Sequence, residues 1–199
     1  MASVLRRAAL LVSAAGGLGI AGYAGLVTGA VPVDLGIGRR RRPLGPLSVR
    51  VSADRDTVFD VLAAPYLGRQ TRALAEKIHI LERGTDMVLA AHRTRVHRRL
   101  TAITVETVRF TRPERVDFFL VRGPVPEVVE RFTLTAEGAE TVLAYDGHLG
   151  TDLWGLGQRW GGVVAGPWER SVAATFAAVK AEAERRAGRR AAPEPRSDD

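Results

Sequence analysis

The sequence of 199 residues is long enough for one globular domain with short appendages, and its 46% hydrophobic and 26% charged residues argue against wholesale disorder. It contains no cysteine, which excludes a disulfide framework, thiolate zinc sites and a cysteine nucleophile. Its net charge of +7 is compatible with an anionic partner. However, there is no zinc-finger spacing and no RNA-binding aromatic motif, so nucleic acid binding is not expected.

Residues 8–33 contain no charged side chain and lie between Arg6–Arg7 and Arg39–Arg42. A helix of about 26 residues would span a hydrocarbon core of roughly 30 Å. Because more arginines follow this run than precede it, the positive-inside rule places the C-terminal domain in the cytoplasm. The sequence therefore predicts a leader of residues 1–34 with one transmembrane helix, and a single-pass membrane protein. A cleaved signal peptide, with a small-residue site near residues 28–30, and a buried glycine-rich leader are the alternatives.

Small residues recur at every fourth position of the predicted span, at Gly17, Ala21, Gly25 and Gly29. Such a face lets two helices approach closely in lipid, so a homodimer through it is one interpretation. The alternative is that a segment built largely from glycine and alanine produces this spacing by chance.

Residues 35–46 are rich in proline, glycine and arginine and are predicted to form a linker, so the folded domain is expected to occupy residues 47–187. Alternation around Val49–Val51 predicts the first strand. Asp54 then suits the N-cap of a short helix, and a second short helix is expected from Leu67 to Ala75.

From residue 78 onward, apolar residues alternate with polar ones, and turn residues separate the runs. The predicted strands are residues 78–80, 88–96, 101–110, 116–121, 128–134 and 141–149. With the first strand they make an antiparallel sheet of about six to seven strands, because the connections are too short for crossover helices.

The chain is predicted to end in a long helix with one apolar face, followed by a disordered tail over residues 188–199. The apolar positions recur at three- and four-residue spacing, at Trp168, Val172, Thr175, Phe176, Val179 and Ala183. An α+β fold follows, in which a curved antiparallel sheet wraps on the long C-terminal helix with two short helices beside it. A gap tends to remain where such a sheet meets a helix, and this gap is the predicted pocket.

Several motifs carry a resemblance to a known family. They are Val51-Ser52-Ala53 before Val58-Phe59-Asp60-Val61-Leu62, then Arg112-Pro113-Glu114-Arg115-Val116, Glu130-Arg131-Phe132-Thr133-Leu134 and Trp168-Glu169. Together they resemble the SRPBCC (START/birch-pollen-allergen-like) superfamily, in particular its polyketide cyclase/dehydrase and lipid-transport branch. The resemblance covers residues 47–186 and implies a helix-grip fold with a ligand cavity. The motifs are structural, so they imply no particular reaction.

The candidate catalytic residues are His92, Glu130 and Tyr145. An inward-facing His92 can exchange a proton with a bound carbonyl compound near neutral pH. Glu130 shares a strand face with apolar residues, where burial raises the pKa of a carboxyl. Each residue also has a structural interpretation: a core histidine bonded to backbone, a carboxylate paired with an arginine, or a packed tyrosine.

The residues expected to bind the ligand are His92, Phe118, Glu130, Phe132, Tyr145, Trp168 and Phe176. No histidines lie at metal-ligand spacing and no phosphate-binding loop occurs, so neither a metal nor a cofactor is expected. The first functional hypothesis is a binding domain for an apolar small molecule or lipid, anchored in the membrane through residues 8–33. The alternatives are a cyclase- or dehydratase-like enzyme that uses acid–base residues in the same cavity, and a protein-interaction adaptor.

Overall fold

The computed structural model describes residues 21–68, 76–97 and 100–191. Its main elements are β1 (Arg40–Val51), α1 (Arg55–Leu67), β2 (Ile78–Arg83), β3 (Met87–His97), β4 (Leu100–Thr111), β5 (Arg115–Arg122), β6 (Glu127–Glu137), β7 (Glu140–Thr151) and α2 (Trp154–Ala191). A short helical stretch over residues 21–27 precedes β1. The α+β class predicted from the sequence is confirmed.

The strands form one antiparallel sheet of seven strands, in the order β1-β7-β6-β5-β4-β3-β2. Strands β2 to β7 follow one another as a meander, because each connection between them is short. Strand β1 adds to the far side by pairing with β7, so β1 and β2 are the two edge strands. The predicted antiparallel meander is confirmed.

The hydrophobic core lies between one face of this sheet and α2. Alternation along β6 buries Phe132 and Leu134 on that face, and Val172 and Phe176 of α2 belong to the same core cluster. Burying one such large apolar side chain contributes roughly 1.5–3 kcal/mol. The contact between sheet and long helix is therefore a major source of stability.

Helix α1 begins where the sequence predicts a cap. The carboxylate of Asp54 accepts hydrogen bonds from the backbone N–H of Thr57 at 2.8 Å and from its hydroxyl at 2.7 Å. This satisfies a donor that the first turn of the helix leaves free. The second predicted short helix, Leu67 to Ala75, falls mostly on residues 69–75, which lie outside the described part of the chain.

Two boundaries differ from the sequence prediction. Strand β1 begins at Arg40, inside the predicted linker 35–46, because its pairing with β7 starts there, and Leu44 in this segment is 1% exposed. Helix α2 is one helix of 38 residues that runs through Pro167 from Trp154. It ends at Ala191, beyond the expected start of the tail at residue 188.

The prediction of a single-pass membrane protein with a cytoplasmic C-terminal domain is wrong. Within residues 21–68, 76–97 and 100–191, no helix combines the length and the apolar character that crossing a bilayer requires. The described part of the predicted span is helical over residues 21–27 only. Residues 8–20 of the span lie outside the described residues.

The chain after this short helical stretch is bound to the sheet, which explains why the helix does not continue. Gly29 has a φ of 70°, and its carbonyl accepts a hydrogen bond from Arg122 Nε at 2.9 Å. The carbonyl of Thr28 accepts one from the N–H of Ile103 at 3.2 Å. Gly29 is therefore not part of a helix face, and the predicted homodimer face does not extend to it. Gly17 of that face lies outside the described residues.

We expect Leu143→Ala to lower the free energy of unfolding by about 2–5 kcal/mol, because the truncation leaves a cavity in a close-packed core. Leu143 is 0% exposed, whereas Leu156 on α2 is 68% exposed. The control Leu156→Ala should therefore change the unfolding free energy by less than about 1 kcal/mol. Urea unfolding followed by circular dichroism measures both. Equal losses would contradict the placement of the core between the sheet and α2.

Candidate functional site

Six hydrogen-bonding side chains lie in the space between the sheet and the helices. We call them the polar row, and they are Tyr66, His92, Glu106, Glu130, Tyr145 and Trp168. The two carboxyl residues, Glu106 and Glu130, are only 6% and 5% exposed. Carboxyls are rarely buried to this extent unless specific partners or bound protons compensate for the lost hydration.

Glu130 on β6 receives two hydrogen bonds on its Oε1 atom. The Tyr145 hydroxyl on β7 donates at 2.7 Å, and the Trp168 indole N–H on α2 donates at 2.7 Å. Burial, and after it the charge of Glu106, raises the pKa of Glu130 to about 7, while the two hydrogen bonds act in the opposite direction. Opposite Glu130 lies Gly147, where a Cβ would be 2.5 Å from the Val129 carbonyl oxygen and 3.1 Å from the Glu130 Cα, so the close approach of the two strands requires glycine.

His92 on β3 lies between α1 and β4. Its Nε2 is 3.0 Å from the Tyr66 hydroxyl, and its Nδ1 is 3.3 Å from Oε2 of Glu106. Despite that approach, the buried Nδ1 forms no hydrogen bond with any described residue. Burial lowers the pKa of His92 to about 4, so the imidazole is neutral at pH 7. A neutral imidazole with one unpartnered ring nitrogen can still bind a ligand oxygen.

The two carboxyls of the polar row are poised to exchange protons near neutral pH. Burial raises the pKa of Glu106 to about 7, close to that of Glu130. Because each charge disfavours the other, one carboxyl is favoured to keep its proton when its partner ionises. Burial also raises the pKa values of Tyr66 and Tyr145, so both hydroxyls remain proton donors. The row thus contains an acid, a base and neutral donors.

Aromatic rings pack beside the polar row. The ring of Phe132 lies 5.5 Å from that of Phe118, 5.1 Å from that of Tyr145 and 5.9 Å from that of Phe176, measured between centroids. Such tilted and edge-on contacts are favourable packing geometries. These four predicted ligand-binding residues therefore form mutual core contacts, and their binding of a ligand stays a prediction.

An open cleft lies between the end of β3 and the middle of α2. Its volume is about 330 Å³, and it is lined by Thr94, Arg95, Pro167, Arg170 and Ser171. By strand alternation Thr94 is on the same side of β3 as His92, and Pro167 directly precedes Trp168. The His92 side chain is 16% exposed. We call this space the β3–α2 cleft.

Comparison with solved structures finds several similar folds. The Zhui aromatase/cyclase from a Streptomyces species has a TM-score of 0.57 and 19% identity, over 74% of this chain and 95% of that chain. Norcoclaurine synthase from Thalictrum flavum, in complex with dopamine and hydroxybenzaldehyde, has a TM-score of 0.54 and 12% identity, over 78% and 91%. The di-domain aromatase/cyclase BexL has a TM-score of 0.51 and 15% identity, over 78% of this chain and 52% of its own.

The chain has the helix-grip fold of these structures. The resemblance seen in its sequence motifs is therefore confirmed. No family model and no curated protein matches the sequence. Because the identities with the solved structures are low, these likenesses establish the fold and leave the reaction to be argued from the residues.

Sequence reasoning identified four members of the polar row in this helix-grip domain. The structure brings Glu130, Tyr145 and Trp168 into one hydrogen-bonded group, and it places His92 in a second group. The arginine partner considered for Glu130 is not observed among the described residues, where its hydrogen bonds come from Tyr145 and Trp168.

Two members of the polar row, Tyr66 and Glu106, were missed. In β4 both faces carry β-branched or apolar residues, so alternation alone does not tell whether Glu106 faces inward. Tyr66 follows Pro65, and the proline predicts that the helix ends before it. Tyr66 was therefore not placed on the helix that faces the sheet, whereas the helix continues to Leu67. Only the structure shows that Thr104 lies opposite His92 in the sheet. Because Glu106 is two residues from Thr104 on the same strand, this register places Glu106 on the same inward face as His92.

Metal binding has no support in the described part of the chain. Across residues 21–68, 76–97 and 100–191, no group of three or more His, Cys, Asp or Glu side chains is placed to hold a metal ion.

The unfolding free energy should carry a pH dependence that comes from the two buried carboxyls. Their pKa values are raised to about 7 in the folded protein, from 4.5 in the unfolded chain. Their contribution to the free energy of unfolding is therefore complete below pH 4.5 and is lost as the pH rises through 7. The pKa of His92 is lowered to about 4 from 6.5, so this residue contributes in the opposite sense. Its stabilising contribution is lost as the pH falls from 6.5 to 4. A full shift of one carboxyl corresponds to about 3 kcal/mol.

We therefore expect wild type to lose stability relative to Glu106→Gln/Glu130→Gln between pH 4.5 and pH 7. The double variant, which retains His92, should instead gain stability over most of this range. Urea unfolding at a series of pH values measures the difference, and Glu169→Gln is the matched control because Glu169 lies on the surface. Parallel curves for wild type and the double variant would show that the carboxyls ionise normally in the fold.

Proposed function

We propose that this SRPBCC domain binds a carbonyl-containing small molecule at the β3–α2 cleft and transfers protons with the polar row, as in a cyclase or dehydratase reaction. The convergence of two carboxyls of raised pKa with a neutral imidazole supports this most strongly. Groups whose pKa values lie near the working pH are suited to general acid–base catalysis.

The first step of such a reaction is enolisation. An ionised carboxylate removes a proton from the carbon next to the carbonyl, and a neutral acid protonates the carbonyl oxygen. Glu130 suits the base, because Tyr145 and Trp168 stabilise its anion. Glu106 suits the acid, because burial favours its neutral form and a hydrogen bond from Thr104 opposes this only in part.

The later steps need no oxidant or reductant. The nucleophilic carbon of the enol attacks a second carbonyl carbon of the same molecule, which forms a carbon–carbon bond and a hydroxyl group. Loss of that hydroxyl as water, together with a neighbouring proton, completes a cyclisation and dehydration. His92 Nδ1 forms no hydrogen bond with any described residue, so it can bind a substrate oxygen that displaces the Glu106 carboxyl, whose Oε2 lies 3.3 Å away.

Non-catalytic binding of a small molecule at the same place is the second candidate. It is favoured by the hydrogen bonds within the polar row, since Glu130 is already satisfied by Tyr145 and Trp168 as in a structural network. A bilayer-derived lipid ligand is not carried forward, because the argument for it depended on the membrane helix. The adaptor hypothesis has no specific contact that supports it.

Deuterium exchange separates these candidates. In D₂O, the wild-type protein should accelerate exchange of the hydrogens next to the carbonyl of benzylacetone, followed by proton NMR. His92→Ala and Glu130→Gln should each lower this rate at least about 100-fold, because they remove groups that exchange or orient the proton. The wild-type rate should pass through a maximum near pH 7, where one carboxyl is ionised and the other is protonated.

Matched controls are His148→Ala, which removes a histidine on the opposite face of β7, and Glu82→Gln, which removes an exposed carboxylate of β2. Both should retain the wild-type rate. Wild-type rates in His92→Ala and Glu130→Gln would remove these residues from the mechanism. If benzylacetone shifts the Trp168 indole resonance of the wild type and exchange is not accelerated, the domain is a binder without this chemistry.

A further inference from the structure

Two arginines at the β3–α2 cleft have no acidic partner. Arg95 and Arg170 line the cleft, and neither forms an ion pair with any described residue. Most arginines elsewhere in the described chain are paired; Arg131, for example, binds Asp117 at 2.8 Å. The cleft therefore presents guanidinium groups whose hydrogen-bonding capacity is free.

Neighbouring acids do not neutralise this charge. Glu169, which precedes Arg170 on α2, pairs with Arg42 of β1 at 3.1 Å. Glu106 and Glu130 hold their protons more strongly than ordinary carboxyls because they are buried, so they supply reduced negative charge near pH 7. A concave site with unneutralised positive charge attracts and concentrates anions.

We propose that Arg95 and Arg170 bind an acidic group of the substrate, a carboxylate or a phosphate ester, while its carbonyl part extends toward His92. The guanidinium fork matches the oxygens of both groups. The hydroxyls of Thr94 and Ser171 in the cleft lining add further donors. This inference rests on the proposed function and narrows its substrate class to carbonyl compounds that also carry an acidic group.

The cleft is large enough for this arrangement. Its volume of about 330 Å³ falls at the lower end of the roughly 300–1,000 Å³ typical of small-molecule sites. A compact anion with one or two rings can therefore be held there, with its ring directed along the His92 and Trp168 side of the polar row.

A pair of probes that differ in charge tests the inference. Naphthoate carries a carboxylate, and naphthamide is its neutral counterpart with the same ring system. Titration followed by proton–nitrogen NMR gives both affinities from the indole N–H resonance of Trp168, which donates to Glu130 in the site. Arg95→Gln/Arg170→Gln should weaken naphthoate binding by about tenfold or more, and naphthamide binding by less than about twofold.

The matched control is Arg159→Gln/Arg189→Gln, which removes two exposed arginines of α2 that form no ion pair with a described residue and gives the same change in net charge. It should leave both affinities within about twofold of wild type, and high salt should weaken only naphthoate. Unchanged naphthoate affinity in Arg95→Gln/Arg170→Gln, or an equal loss in the control, would overturn the anion site while naphthamide binding still supports the proposed function. If neither probe shifts the Trp168 resonance of the wild type, the proposed function and the anion site both fail.

Discussion

The burial of two carboxyls between the sheet and the helices is the constraint on which the rest of this structure depends. An ionised carboxylate removed from water is costly unless donors or a bound proton compensate for the lost hydration. Here Glu130 receives donors from Tyr145 on β7 and Trp168 on α2, and both carboxyls have raised pKa values. Moving α2 away from the sheet would remove the indole donor. The position of the helix and the protonation of the site are therefore coupled.

The helix-grip architecture explains how distant parts of the sequence reach one site. A meander places successive strands side by side, so inward positions of β3, β4 and β6 bring His92, Glu106 and Glu130 to the same face. Helix α1 contributes Tyr66 to the same site, and helix α2 contributes Trp168. The continuity of α2 through Pro167 matters for function, because it holds Trp168 over Glu130 and forms one wall of the β3–α2 cleft.

The sequence predicts the central sheet well, because alternation is strong where one strand face is buried. It places Glu130 inward since its neighbours at two-residue spacing are apolar, and the structure agrees. It does not predict where β1 starts, because the arginines near Arg40 conceal the pattern and the pairing depends on the distant β7. It also mistakes a charge-free segment for a membrane span, since hydropathy does not report that the backbone of Thr28 bonds to β4. Side-chain partners such as Tyr66 for His92 depend on tertiary contacts and leave no local signal.

The composition of the two edge strands has a consequence for solubility and self-association. An exposed edge offers unpaired backbone groups that can recruit a strand from another molecule. Strand β1 carries Pro43 and Pro46, which have no N–H to donate, and three consecutive charged side chains at 40–42. Strand β2 is only six residues long and includes the charged pair Glu82–Arg83. Both borders of the sheet are thus protected against growth into intermolecular β-structure.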